Sequence, residues 1–402
     1  MAEQTGQQIT VNYKEEVTFN TPPDPSGGEQ LRMTPSGGQN LARALIESEE
    51  IRKDLLTTMG RLGSSSVDGA YSGELSVQSF DTIMQAVMRS TFVAAVAITE
   101  AEMTSITTTI GSIVAAAGDW QAEGVRVGDV VRLTGHDTAA NNDLNLRVIS
   151  VSTLTLGIAG DPLVVDAVPD VAFTLTILKK ITAPSGVIPT RRSYFFEEYY
   201  DILDLSETFG GVRFVRFRVT GAPDGFAVVE IGVMGASATA LDNAASPFFA
   251  APTVYTSTGL IFTDASIRYG GVEKVTLTGV EILLEIAAET LPVIGSNVTP
   301  DVFDNDIRVT GNVSGLRQDL LNLSRLENET ELELQILLEE PTAVPKECIN
   351  FFVPRLKLSA SEKELGGDGA LLESSPWFAG PKETVDINYD TGMVTISTSS
   401  SP

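Results

Sequence analysis

From Glu207 to Gly235 the chain alternates in side-chain character at every second residue. Phe214, Arg216 and Arg218 interleave with Arg213, Val215, Phe217 and Val219, the period-two pattern of a strand with two different faces. Gly221, Ala222, Pro223, Asp224 and Gly225 supply turn chemistry, since proline fixes one φ and glycine permits a positive one. Phe226 to Met234 runs on as a second strand, and Gly232 inside it predicts a bulge or a close backbone approach. The pattern predicts a β-hairpin that serves as a wall and carries no catalytic group.

Other segments give further elements. Val67 to Val77 is expected to be a strand, with glycines at Gly69 and Gly73. Phe80, Ile83, Met84, Val87 and Met88 follow the spacing of one helical face. Ser79 is the expected N-cap, and Asp81 suits the first-turn dipole. Tyr194 to Asp201 is an aromatic-rich strand, and Ser246 to Thr253 a linker. Ser266 to Tyr269, a Gly270–Gly271 turn and the alternating Val275 to Ile286 open a second half. Thr384 to Ile396 is expected to form a last strand pair around Asp390, Thr391 and Gly392, followed by a Ser/Thr tail.

Two segments admit two readings each. Asn40 to Met59 fits a helix capped by Asn40, with Leu41, Ala44, Leu45 and Leu55 apolar. Glu47 to Arg52 fits a charged strand edge equally well. Residues 1–40 are polar and rich in Pro and Gly, which suits a flexible tail. They also suit an extended arm that orders on a neighbouring subunit through Tyr13, Val17, Phe19 and Leu31.

Composition shifts between Ala97 and Lys180, where Thr, Val, Ala and Gly dominate. A strand pair is expected at Val125 to Leu133 around Gly128–Asp129, with more strands at Arg147 to Leu156 and Ala172 to Leu178. Turns fall at Gly135 to Asn142 and Gly157 to Asp161. Short strands with regular turns predict a small β-barrel or sandwich, inserted on an outer surface.

The order strand, helix, strand, hairpin occurs twice. The first round takes Val67–Gly73, Phe80–Met88, Tyr194–Asp201 and Val212–Met234. The second takes Ile307–Gly315, Leu316–Leu326, Thr330–Leu338 and Ile349 to about Phe378. The fold class expected is mainly β, a sandwich or barrel with short flanking helices. It comprises two tandem copies plus the inserted small β-barrel domain. The divisions are 1–40 as arm, 41–96 with 181–245 as first copy, 97–180 as insert, 246–390 as second copy and 391–402 as tail.

The charge narrows the function. Across 402 residues the formal net charge is −26, which repels free phosphate backbones because no basic surplus exists to release counterions. The single cysteine, Cys348, excludes an internal disulfide and is expected to be a small core residue, not a reactive thiol. No basic-plus-apolar leader and no apolar run of membrane-spanning length is present.

Candidate chemistry is sparse. His136, the one histidine, is expected in a solvated loop. Asp301, Asp304 and Asp306 lack the glycine and terminal glutamate of a calcium loop and are expected to be solvated. Glu197–Glu198 and Glu339–Glu340 are adjacent in strands, so each pair points to opposite faces and cannot cooperate in acid/base work. Asn297, Asn312, Asn322 and Asn328 begin N-x-S/T sequons that carry no argument without a secretory signal. There is no phosphate loop, dinucleotide fingerprint or nucleophile elbow, and no enzyme is expected. Catalytic, cofactor-binding and metal residues are accordingly none. A secreted carbohydrate-binding or adhesive β-sandwich is a further reading; it would need an export signal and a cleft of convergent aromatics and carboxylates, and Trp120 and Trp377 lie in unrelated segments, so no stacking platform is visible.

The chain resembles the tail tube proteins of long-tailed bacteriophages. The resemblance rests on Glu49 to Asp54, Val67–Asp68–Gly69, Glu74–Leu75–Ser76 and Phe80–Asp81. It continues through Phe209 to Arg213, Val229 to Gly235, Ile307 to Gly311 and Phe352 to Leu358, and covers about residues 40 to 390. It implies a sandwich flanked by a helix, with sheets that join across subunits into a continuous barrel. The duplicated fold implies rings of three chains in place of six. The implied function is a structural virion protein, made in the host cytoplasm and stacked into a conduit for DNA. The implied partners are itself, a tape measure protein in the lumen, and tail terminator and distal tail proteins at the ends. Genomic DNA passes through without specific binding, and no cofactor or membrane is involved. A terminator or baseplate hub protein with a related fold is the alternative. Ring-to-ring links are expected from the N-terminus and a long loop around Asp204 to Gly211. Of Glu74, Glu230, Asp306 and Glu333, alternation puts about half inside the lumen.

Overall fold

The computed structural model describes residues 3–183, 186–242, 244–363, 369–382 and 386–399. In chain order, the first part of the molecule contains β1 (Ile9–Glu15), β2 (Gly37–Ile46), β3 (Arg61–Glu74) and helix α1 (Asp81–Met88). After an intervening small unit come β4 (Lys179–Thr182), β5 (Tyr194–Tyr200), β6 (Leu205–Gly221), β7 (Val228–Gly235) and β8 (Ser237–Leu241). The second part contains β9 (Ala265–Tyr269), β10 (Leu277–Thr290), β11 (Val302–Leu316) and helix α2 (Leu321–Glu327). It ends with β12 (Leu332–Glu339), β13 (Cys348–Leu358), β14 (Glu362–Lys363), β15 (Leu372–Ala379) and β16 (Thr395–Thr398).

Every ladder named here is antiparallel. In the first part the strands pair in the order β1, β5, β6, β7, β3, β2. In the second the order is β9, β12, β13, β15, β11, β10. The two orders correspond strand for strand, and the correspondence extends to side ladders. The first half of β6 also pairs with β8, as the first half of β13 pairs with β16. Irregularities recur at matching places: between Tyr194 and Phe196 and between Leu332 and Leu334, then between Arg43 and Leu45 and between Ile286 and Ala288.

One core serves both parts. Phe80, Ile83, Met84, Val87 and Met88 of the α1 face are all buried in it with Tyr71, Phe196, Phe217, Leu334 and Trp377. The helical stripe is therefore packing, as its spacing implies. Its cap differs from expectation. Phe80 stands at the N-cap without a side-chain bond, because Ser79 is engaged with Ser76 (2.8 Å) and Ser257 instead. Asp81 opens the helix and pairs with Lys179 at 2.8 Å.

Eight short strands, from Val96–Thr99 to Thr174–Ile177, build a second antiparallel sheet with its own core around Trp120, Leu133 and Leu175. Val125 to Leu133 is not a strand pair: Val125 to Asp129 forms turns, and one strand starts at Val130. The two sheets are locked together at Gly128, whose φ is +92°. Its carbonyl accepts from Gln335 Nε2 (3.1 Å) and Asn350 Nδ2 (3.0 Å), and Phe352 of β13 enters the small unit's core beside it. Lys180 completes the joint by binding Asp129 (2.8 Å) and Asp390 (2.7 Å).

Several local expectations change. Asn40 to Met59 holds no helix: its first residues continue β2, and residues 47–60 leave the sheet. The apparent helical spacing of Leu41, Ala44 and Leu45 yields to ladder pairing with β3. The N-terminal segment orders on its own chain, with β1 on β5 and Tyr13 and Leu31 buried. Asp224, not glycine, takes the positive φ of the hairpin turn. Gly232 lies opposite the register shift between Phe214 and Arg216, which meets the bulge expectation. Near the C-terminus a single strand, β16, pairs with β13 and β4, and Thr384 lies outside the described residues.

Candidate assembly surfaces

The two parts of the chain meet where β6 pairs with β10. Arg216 stands opposite Glu285, Phe217 opposite Leu284, Val219 opposite Ile282 and Gly221 opposite Val280. One face of this seam is apolar and dry, with Phe217, Val219, Ile282 and Leu284 all buried. The other face is a charge ladder. Arg218 grips both carboxylate oxygens of Glu281 (2.9 and 3.1 Å) and reaches Glu230 (3.3 Å). Arg216 bridges Glu230 (3.2 Å) and Glu285 (3.4 Å). These groups are part-exposed, so each pair contributes at most about 1 kcal/mol. The seam is held chiefly by its ladder and its apolar face.

A second joint closes above it. Arg213 donates to Asp304 and Asp301 (2.7 Å each) and lies over the Phe19 ring. Arg191 and Arg89 also bind Asp304. The expected solvated acidic loop is thus an ion-pair network for two of its three members. Burial pushes Asp304 up, but the Arg191 hydrogen bond and the Arg213 and Arg191 charges outweigh it and hold the carboxyl below its ordinary value.

The polar face of the seam continues along neighbouring strands by register. Glu230 lies opposite Ser72, and Glu74 is two residues further along the same strand. Glu285 lies opposite Arg308, with Asp306 two residues before it. Glu74 and Glu230 therefore share one face with Asp68, Glu281 and Glu285, where acids outnumber the arginines, whereas Asp306 falls in the irregularity opposite Ile286 to Ala288. Glu333 does not join them, since it pairs with Arg268 on β9.

The remaining candidates resolve individually. Asp204 to Gly211 is no loop: β6 starts at Leu205. Glu197 and Glu198 are both buried with separate donors, Ser206 (2.7 Å) for one and Tyr71 (2.6 Å) for the other. Glu339 takes Lys346 and Asn145, whereas Glu340 takes Thr342 and Ala343. His136 is buried rather than solvated, its Nδ1 accepting from the Thr138 amide at 3.1 Å. Cys348 is a core residue, and burial pushes its thiol up to about 12. Trp120 and Trp377 sit in the two separate cores. Among the described residues no group of three His, Cys, Asp or Glu side chains is placed to hold a metal, and no helix is long and apolar enough to cross a membrane.

What the surface offers instead is unpaired strand. Among the described residues β2 forms a ladder on one side only, with β3, and Leu41, Leu45 and Ile46 are exposed along it. Likewise, among the described residues β14 pairs with β15 alone. Helix α2 has no buried residue, in contrast to α1. Exposed edges of this kind template pairing with another chain. No curated protein matches the chain in sequence. A family model described as phage tail tube protein matches residues 6–377, and the chain therefore belongs to the phage tail tube protein family.

Proposed function

We propose that this tail tube protein assembles edge to edge into rings of three chains, and that stacked rings form a negatively charged conduit for DNA ejection. The observation that carries the proposal is the repeated six-strand order joined by one internal seam. Each chain then contributes two of six equivalent wall units, and a closed ring leaves no strand edge unpaired. The acidic face bearing Glu74, Glu230, Glu281 and Glu285 lines the lumen. Like charge there keeps phosphate off the wall, so DNA passes without being held. A tape measure protein occupies the lumen during assembly, and terminator and distal tail proteins cap the ends.

The proposed divisions are 41–96 with 181–245 as the first wall unit and 246–390 as the second. β1 adds to the former and β16 to the latter. Residues 97–180 form an inserted unit on the outer layer, docked on β12 and β13 away from the acidic face.

Negative-stain electron microscopy over a range of protein concentrations tests this. Hollow tubes of uniform width are expected. Isolated rings that never stack would instead assign the chain to a terminator or hub position, and monomers at every concentration would contradict self-assembly.

A further inference from the structure

We infer that the joint between neighbouring chains copies the residue register of the seam inside each chain, with a second copy of this chain as the partner. The inference rests on the ring reading above and adds the surfaces and their alignment.

The repeated pairing fixes which residues correspond. Glu362 lies opposite Ser374 as Arg218 lies opposite Glu230, so β13 with β14 is the counterpart of β6. Gly311 lies opposite Ile282 as Gly69 lies opposite Gln39, and Leu284 lies opposite Val309 as Leu41 lies opposite Val67. β2 is therefore the counterpart of β10. The matching register irregularities give the same alignment independently, Tyr194–Phe196 with Leu332–Leu334 and Arg43–Leu45 with Ile286–Ala288.

The counterparts differ in burial, and the difference points to the missing partner. Leu284 is 1% exposed, because β6 covers its edge, whereas Leu41 is 48% exposed. α1 packs across β6 and β10 and is buried. α2 lies against β13 and reaches β15 and β9 through Asn322 to Ser375 and Arg325 over Tyr269, and Leu320, Leu321 and Leu323 beside it are exposed. A second chain whose β2 lies beside β13–β14 supplies both absences at once. It covers Leu41 and gives α2 the strand that α1 already has. Transferring the seam residue by residue places Ala360 opposite Ala42 of the next chain, where Arg216 stands opposite Glu285, and Glu362 opposite Asn40. The arginine ladder has no counterpart here, so this joint rests on backbone pairing and leucine burial.

The register is tested by disulfide trapping in the full chain. Ala42→Cys with Ala360→Cys puts two small, accessible positions directly opposite, with Cα atoms about 4.5–5.5 Å apart, within disulfide reach. Ala42→Cys with Glu362→Cys is the control, displaced by two residues to a Cβ separation of about 7–8 Å. Cys348 is buried and gives no background. Oxidation of assembled protein is expected to link chains into covalent dimers and trimers with the first pair and not with the second. Rings or tubes that trap only the control pair, or neither, overturn the register and leave the ring reading intact. Wild-type chains that stay monomeric overturn both. Should the cysteines disturb folding, hydrogen exchange on the wild-type protein decides the matter. Amides within Asn40 to Ala42, the residues set opposite Ala360 to Glu362, are expected to slow at least tenfold on assembly, and unchanged exchange there in formed rings overturns the proposal.

Discussion

Arg213→Met isolates the joint that holds the second part of the chain on the first. The guanidinium is nearly buried, donates to Asp304 and Asp301 at 2.7 Å each, and lies over the Phe19 ring. Methionine keeps most of the apolar stem and removes the charge. Breaking a buried ion pair from one side costs about 3–5 kcal/mol when the other charge is stranded. Here Asp304 keeps Arg191 and Arg89, and Asp301 remains partly hydrated. The expected loss is therefore about 2–3 kcal/mol, below that full range. Urea unfolding followed through Trp377, with Trp120→Phe silencing the small unit, reads the core that this joint serves. Asp304→Asn completes a double-mutant cycle, with an expected coupling of about 1–2 kcal/mol. The sign with pH follows from linkage. Asp304 is held below its ordinary value of 3.8, so its contribution is present above that value and is lost as pH falls through the depressed one. The Arg213→Met deficit must shrink in acid. A coupling below about 0.5 kcal/mol, or a deficit that grows in acid, would refute the assignment.

Two further outcomes follow from the same geometry. Gly311→Ala would place a Cβ 2.1 Å from the Glu281 carbonyl oxygen and 2.4 Å from the buried Trp377 ring, neither of which can yield. The expected cost is about 3 kcal/mol or more in thermal unfolding, and Gly6→Ala, with open space around it, serves as the neutral control. Asp129 is pushed up to about 6 by burial, against the pull of Lys180. Its folded value lies above its unfolded one, so its contribution to stability rises as pH falls from about 6 toward 3.8; the melting-temperature gap between wild type and Asp129→Asn should vary across that window, and a constant gap would sink the idea.

The parts of the fold visible in sequence are those where one local period acts alone. The α1 stripe, the β6–β7 hairpin and β10 have a single buried face, so alternation or helical spacing names them directly. β2 failed this test because its outer side faces solvent in the single chain, leaving Leu41, Leu45 and Ile46 without the contrast that marks a strand face. The N-terminal segment was illegible for a different reason. Its anchor, buried Glu16, accepts from the Gly211 amide (2.9 Å) and Ser193 (2.7 Å), partners almost two hundred residues away. Burial of His136 likewise depends on contacts from Asn142 and Asp170 that no spacing rule encodes. The acidic trio at Asp301 to Asp306 looked solvated because its arginines come from three other segments. In contrast, the repeat was legible as an order of elements, and the residue-by-residue correspondence of its two rounds became visible only in the register.

The most direct measurement is end-on cryo-electron microscopy of assembled protein. Three chains per ring are predicted, each of 42.8 kDa, with an inner wall that is nearly sixfold and an outer surface that is threefold because each chain carries one small unit. Six chains per ring, or an inner wall that breaks the near-sixfold repeat at the joints between chains, would contradict the account.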